Sequence, residues 1–167
     1  MFNQLTKKDI EDMMAEIEDR KVRVRPMLLE SVKEARAHGD LSENFEYHAA
    51  KKEKNANEAR IRFLERMIKT AEIIEDNSNA DEVGVNDTVK ILFEEDGTTD
   101  SFTIVSTMRG DSLKRLVSVE SPIGKVLLGH KVDDRVEVVV NKDYSYFVKI
   151  LEITKDNLGE NATLRNF

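Results

Sequence analysis

Three carboxylates, Asp40, Glu43 and Glu46, recur at steps of three in the stretch ARAHGDLSENFEYHAAKKEK, residues 35–54. No lysine or arginine occurs between His38 and His48, although basic residues crowd both sides. A step of three places side chains on one face of a helix, so their oxygens can approach a common point. Magnesium takes one or two carboxylates and fills the rest of its shell with water or phosphate oxygens. Asp40 and Glu43 can therefore supply part of a magnesium shell that another molecule completes. An ion shared in this way could present a water for in-line attack on a phosphodiester. The plainer alternative is a solvated first turn, because acids suit the positive end of a helix. His38 and His48 flank the cluster, but two histidines without fixed geometry are more often surface residues than zinc ligands.

Around this acidic point lies a collar of Lys33, Arg36, Lys51, Lys52 and Lys54. Such a collar is either a solvated face balanced by Glu34 and Glu53 or a surface that attracts an RNA backbone, a contact that weakens with salt. Phe45 and Tyr47 sit at the same place, either packed across a turn or offered to a partner surface. The net charge of -7 gives no support to a duplex-binding surface held mainly by phosphate neutralisation, so any nucleic-acid contact is expected to be local. The absence of cysteine excludes disulfides, thiolate zinc sites and cysteine nucleophiles, and fits a reducing cytoplasm. No run approaches the ~20 apolar residues of a membrane span, and no membrane partner is expected.

The elements that must position these residues are helical on both sides. From Thr6 to about Ala37, Ile10, Met14, Ile17, Val24, Leu28 and Ala35 fall at helical spacing, with Thr6 and Asp9 as a cap. Pro26 should bend or break this helix near Arg25. From about Ser42 to Glu75 a second stripe runs through Ala49, Ala56, Phe63, Met67, Ala71 and Ile74, with Ser42 as its cap. Two amphipathic helices joined by a few residues bury their stripes by pairing antiparallel, so a coiled-coil hairpin is expected over residues 1–76. Each arm would be roughly 45 Å long at ~1.5 Å per residue. Ala35, Ala37, Ala49, Ala50 and Ala56 should make the turn end thin. Asp40 and Glu43 are then at the apex and point outward.

Residues 77–86 read as a polar linker. Beyond it DTVKILFE, DSFTIVS, RLVSVES, DRVEVVV and YFVKILEI have the β-branched and aromatic content of strands, with Gly97, Gly110 and Asn141 at turn positions. SPIGKVLLG carries a proline at a helix start and a glycine after its end. The fold class is thus α+β: a helical hairpin, then a small antiparallel sheet with one short helix over residues 87–154, and a loosely held tail over 155–167.

The segment ARAHGDLSENFEYHAAKKE closely resembles the tip of the Gre family of bacterial transcript cleavage factors. The likeness continues through LTKKDIEDMMAEIEDRK and RPMLLESVKEA in the first arm, RIRFLERMIKTAEII in the second, and SVESPIGKVLLGHKVDDRVEV in the sheet half. It covers residues 5 to about 153. The resemblance implies a coiled coil followed by an FKBP-like domain that docks on RNA polymerase at the rim of its secondary channel. It implies that the hairpin reaches the polymerase's catalytic centre and stimulates the polymerase's own hydrolysis of the RNA 3′ end extruded on backtracking.

In that resemblance Asp40 and Glu43 match the two tip acids that help hold the second Mg2+ and its water. Arg36 and Lys51 match basic positions associated with the extruded RNA, and Ser42, Asn44, Phe45, Glu46 and Tyr47 fill the tip motif. Ser42 and Phe45 depart from it, standing where the family often has a basic residue and an alanine. The expected protein is a cytoplasmic, monomeric transcription elongation factor that works on DNA-bound polymerase. It is not itself an enzyme and holds no cofactor alone, the Mg2+ being that of the polymerase active site. A channel-binding regulator that inhibits without cleavage is the alternative. A working prolyl isomerase is a third reading, weakened because Phe93, Phe102, Tyr144, Tyr146 and Phe147 are adequately explained as strand core.

Overall fold

Thr6 and Asp9 cap the first helix reciprocally, as the sequence predicts: the Thr6 amide donates to Asp9 Oδ2 at 2.9 Å and the Asp9 amide to Thr6 Oγ1 at 3.1 Å. The computed structural model describes residues 3–39 and 43–166. These form two compact units, Ile10–Ala71 and residues 3–9 with Glu72–Asn166.

In the first unit, helix α1 (Lys7–Asp19) leads through a π-helical turn, Arg20–Val24, into α2 (Arg25–Arg36). Pro26 lies in the first turn of α2, where it has no amide to give and its ring crowds the preceding turn. The chain responds by widening rather than breaking. The Arg25 amide reaches back five residues to the Arg20 carbonyl, which is a π-type bond.

The second arm, α3 (Phe45–Lys69), begins three residues later than expected. Its cap is Asn44; Ser42, the expected cap, lies outside the described residues, as does Asp40. At 25 residues α3 is about 37 Å long. Its sheltered face is Tyr47, Ala50, Lys54, Asn57, Ile61, Leu64 and Ile68, at alternating steps of three and four, while Ala49 and Ala56 are exposed. The sequence stripe thus missed the true face by one residue, because three of the sheltered positions carry polar side chains. On the first arm Met14 is likewise exposed, and Met13, Val32 and Ala35 are buried. Of the five small residues expected to thin the turn end, Ala35 is buried and Ala50 half-buried; both join Val32 and Tyr47 in one cluster.

The polar positions are matched across the hairpin. Arg60 holds Glu16 with two bonds (2.8 and 3.2 Å), and Arg20 adds a third at 2.8 Å. Asn57 accepts from Arg20 Nη1 at 3.0 Å and donates back to the Arg20 carbonyl at 3.3 Å. Arg25 grips Glu58 in a fork, at 2.7 and 2.9 Å. These pairs fix which residue of one arm faces which residue of the other.

In the second unit β1 (Gln4–Leu5) pairs in parallel with β2 (Glu72–Ile73). The main sheet comprises β3 (Thr88–Phe93), β4 (Thr99–Val105), β5 (Leu116–Ser118), β6 (Arg135–Val139) and β7 (Ser145–Thr154), in the order β5-β4-β3-β7-β6. The expected all-antiparallel sheet is in fact mixed. β5 runs parallel to β4 because residues 106–115, carrying two short 3-10 turns, bring the chain back to the starting end. The short helix α4 (Pro122–Leu127) lies between β5 and β6, capped by Ser121, whose hydroxyl accepts from the Gly124 amide. Alternate residues of β3 and β6, with Val148 and Ile150 of β7, meet Ile104, Val119 and Leu127 in the core.

Residues 155–166 are anchored, contrary to the loose tail expected from their composition. Lys155 pairs at 2.7 Å with Asp87, which is almost fully buried, and the Arg165 amide donates to the Met108 carbonyl at 2.6 Å. Gly159 is buried so closely that a Cβ there would stand 2.6 Å from Val105 Cγ1.

Candidate functional site

The described turn of the hairpin is built from the helix ends. Helix α2 closes with Ala37 still near helical geometry, Gly39 follows at φ +131°, and the chain re-enters helix through Asn44 in an extended conformation. Asn44 serves both helices. Its Oδ1 accepts from the Tyr47 amide at 3.0 Å, capping α3, and its Nδ2 donates to the Ala35 carbonyl at 2.7 Å, satisfying an end group of α2. One side chain thereby ties the outgoing arm to the returning one. From the sequence, Asn44 is expected only as part of the tip motif. An asparagine directly before a helical segment was the available signal, but Ser42 was an equally good cap.

Tyr47 is buried against Val32 and Ala35. Arg36 lies 5.4 Å from its ring centroid and Lys51 6.0 Å, so the ring holds one cation from each arm. A hydrogen bond from Arg36, opposed by burial and reinforced by the charges of Lys51, Arg36 and Lys54, draws the Tyr47 phenol below its ordinary pKa. Arg36 and Lys51, the two cations singled out in the sequence, are thus brought together on one aromatic. Among the described residues no ion pair joins Lys33, Lys51, Lys52 or Lys54 to Glu34 or Glu53.

The three acids separate in role. Glu46 pairs with His38 at 3.1 Å, both largely exposed, a contact that counts for little energetically. Glu43 is exposed and makes no ion pair with another described residue. Asp40 lies outside the described residues. His48 tilts against the Tyr47 ring, centroids 5.4 Å apart. Among the described residues no group of three or more histidines and acids is placed to hold a metal ion. What Glu43 offers is a single anionic ligand at the end of a hairpin.

Phe45 and Tyr47, undecided on sequence, divide cleanly: Tyr47 is packed within the hairpin and Phe45 is 85% exposed. In the sheet unit, Phe93, Tyr146 and Tyr144 form a row of tilted rings 5.9 Å apart, and Arg135 stacks on Phe147 at 3.7 Å. Two cavities of that unit, of about 400 and 720 Å³, have no aromatic side chain in their linings. No helix among the described residues is long and apolar enough to cross a membrane.

The sequence matches the family model described as transcription elongation factor, N-terminal, over residues 3–73, and that described as transcription elongation factor, GreA/GreB, C-terminal, over residues 77–155. It is 40% identical over 156 residues to the transcription elongation factor GreA of Lachnoclostridium phytofermentans, covering 93% of this chain and 97% of the relative. To GreA of Bacillus subtilis it is 42% identical over 139 residues, covering 83% and 88%. Among solved structures, GreA factor homolog 1 (Gfh1) of Thermus thermophilus is 28% identical and superposes weakly, with a TM-score of 0.42 over 92% of this chain and 99% of that one.

Proposed function

This chain belongs to the GreA/GreB family of transcription elongation factors, and from that premise we propose that it binds bacterial RNA polymerase and stimulates the polymerase's own cleavage of backtracked RNA. The observation that carries the reading is Glu43, an exposed carboxylate at a hairpin turn that Asn44 holds closed. In this proposal the helical pair enters the secondary channel as a coiled coil, and the sheet unit is an FKBP-like domain that docks at the channel rim. The factor acts as a monomer in the cytoplasm, and the catalytic groups remain those of the polymerase.

Asp40 and Glu43 would together hold a magnesium ion of the polymerase active site. When bound, that ion supplies positive charge at the scissile phosphate and a water of lowered pKa. The chain's own residues deliver and steady these ligands. Asn44 fixes the backbone next to Glu43, and Tyr47 holds Arg36 and Lys51 where an RNA phosphate can meet them. Glu43 is exposed and makes no ion pair with another described residue that would compete with this use. The row of sheet aromatics, none of which lines a described cavity, lends no support to a prolyl isomerase.

The test is a polymerase elongation complex walked to a backtracked position with 3′-labelled RNA. Addition of the protein should release short 3′ fragments within the time that polymerase alone leaves the transcript whole. Slowed elongation with no fragment released would instead assign the regulator role.

A further inference from the structure

Phe45 stands in solvent although its neighbours are all engaged. Asn44 is bonded to both arms, Glu46 faces His38, and Tyr47 is buried, yet Phe45 remains 85% exposed at the first position of α3. Exposing a phenylalanine ring forgoes the burial that aromatic side chains ordinarily obtain. Steps of three and four place Phe45, His48 and Lys52 on one face of α3, and all three are exposed. Arg36 and Lys51 are gathered on the ring of Tyr47, two residues beyond Phe45.

We propose that Phe45 is a stacking platform for the unpaired 3′-terminal nucleobase of the RNA on which the tip acts. This inference rests on the function proposed above. Single strands are recognised by an aromatic face for the base combined with cations for the backbone. The distribution of charge fixes which part of the nucleotide goes where. Glu43 and Glu46 beside Phe45 repel a phosphate, whereas Lys52, seven residues further along the same face, is about 10 Å away and attracts one. An uncharged base is the part of RNA that the acidic end accepts, and the backbone then runs toward the lysines.

A protein-docking anchor would have a different setting. Such anchors sit at the centre of an apolar patch that excludes water. Phe45 is followed on its face by the exposed His48, Ala49 and Lys52 and flanked by acids, so the surface of α3 beside it is mainly polar.

The experiment compares the full chain with Phe45→Ala, Phe45→Leu and Phe45→Trp in backtracked complexes whose extruded RNA ends either in an ordinary nucleotide or in an abasic one. Phe45→Ala and Phe45→Leu should raise the factor concentration for half-maximal cleavage about tenfold, and Phe45→Trp should restore it, since stacking needs a ring and not merely apolar bulk. On the abasic end all four proteins should behave alike. Photocrosslinking from a 3′-terminal 4-thiouridine provides a readout that does not require cleavage. The crosslink should fall on the tip in the full chain and in Phe45→Trp, and be lost in Phe45→Ala. Normal cleavage and crosslinking by Phe45→Ala would overturn the inference while leaving the proposed function standing. An equal defect on ordinary and abasic ends would overturn it in favour of a polymerase contact. Absence of cleavage by the full chain would remove the proposed function, and absence of its crosslink as well would remove the inference.

Discussion

Asn44 Nδ2 donates to the carbonyl of Ala35, nine residues earlier and on the opposite arm, at 2.7 Å. The same side chain caps α3 through the Tyr47 amide, so one residue closes the turn beside Glu43. We predict that Asn44→Ala loses about 1–2 kcal/mol of stability, the usual cost of removing a helix cap together with a second bond. Asn44→Asp keeps the acceptor for the Tyr47 amide but has no donor for Ala35, and should fall between the two. Urea unfolding of the three proteins measures this. If the aspartate variant were as weak as the alanine one, the cap would contribute nothing and only the bond to Ala35 would matter.

In the second unit the Asp9 carboxylate, which caps α1, also receives Arg109 Nε at 2.5 Å, and both side chains are almost fully buried. Arg109 also donates to the Ala162 carbonyl in the tail. Removing one partner of such a pair strands the other charge away from water. Arg109→Ala should therefore cost about 3–5 kcal/mol, far more than truncating an exposed arginine such as Arg115. The chevron or equilibrium midpoint in urea would reveal it, and a loss no larger than that of Arg115→Ala would contradict the burial of the Asp9–Arg109 pair.

Glu16 gives the hairpin an acid-sensitive joint. Burial alone would raise its pKa, but hydrogen bonds from Arg60 and Arg20 and the charges of both outweigh burial and hold it below the ordinary value of 4.5. Because the folded value is the lower one, this carboxylate contributes its full stability above about pH 4.5. The contribution declines as the pH falls below that value and is gone once the pH passes the folded pKa. Helical circular dichroism followed from pH 6 to pH 3 should show loss of the hairpin, part of which is absent in Glu16→Gln. That variant should also be less stable at pH 7 by about 2 kcal/mol, since Arg60 keeps its charge with a poorer partner. An unchanged acid profile in Glu16→Gln would rule out this joint.

The sequence made the helical hairpin, the strand-rich half, the short helix at Pro122 and the reciprocal Thr6–Asp9 cap legible, because each rests on local periodicity or cap chemistry. It misread the faces of the arms. Polar Tyr47, Lys54 and Asn57 occupy sheltered positions, and a stripe counted from apolar residues alone, through Ala49, Ala56, Phe63 and Met67, follows a face one residue away. Parallel pairing of β5 with β4 depends on how two 3-10 turns steer ten residues, which composition does not encode. The anchored tail depends on partners far away in sequence, such as Asp87 for Lys155. At the turn, the hairpin pattern puts Glu43 outside, and the family resemblance, not residue type alone, singles out Arg36 and Lys51 from the collar of five cations. The division of Phe45 from Tyr47 and the bridging by Asn44 needed coordinates, since each is set by which arm lies opposite.

The most direct test of the tip acids is cleavage of backtracked RNA by Asp40→Asn, Glu43→Gln and the double variant, with binding to polymerase measured in parallel. Amides keep the size of the side chains and remove the charge that a magnesium ion needs. Each single variant should lower the stimulated cleavage rate by at least about a hundredfold, the scale on which electrostatic groups at a reacting phosphate act, while affinity for polymerase changes less than about twofold. Undiminished cleavage by the double variant at saturating concentration would contradict the account.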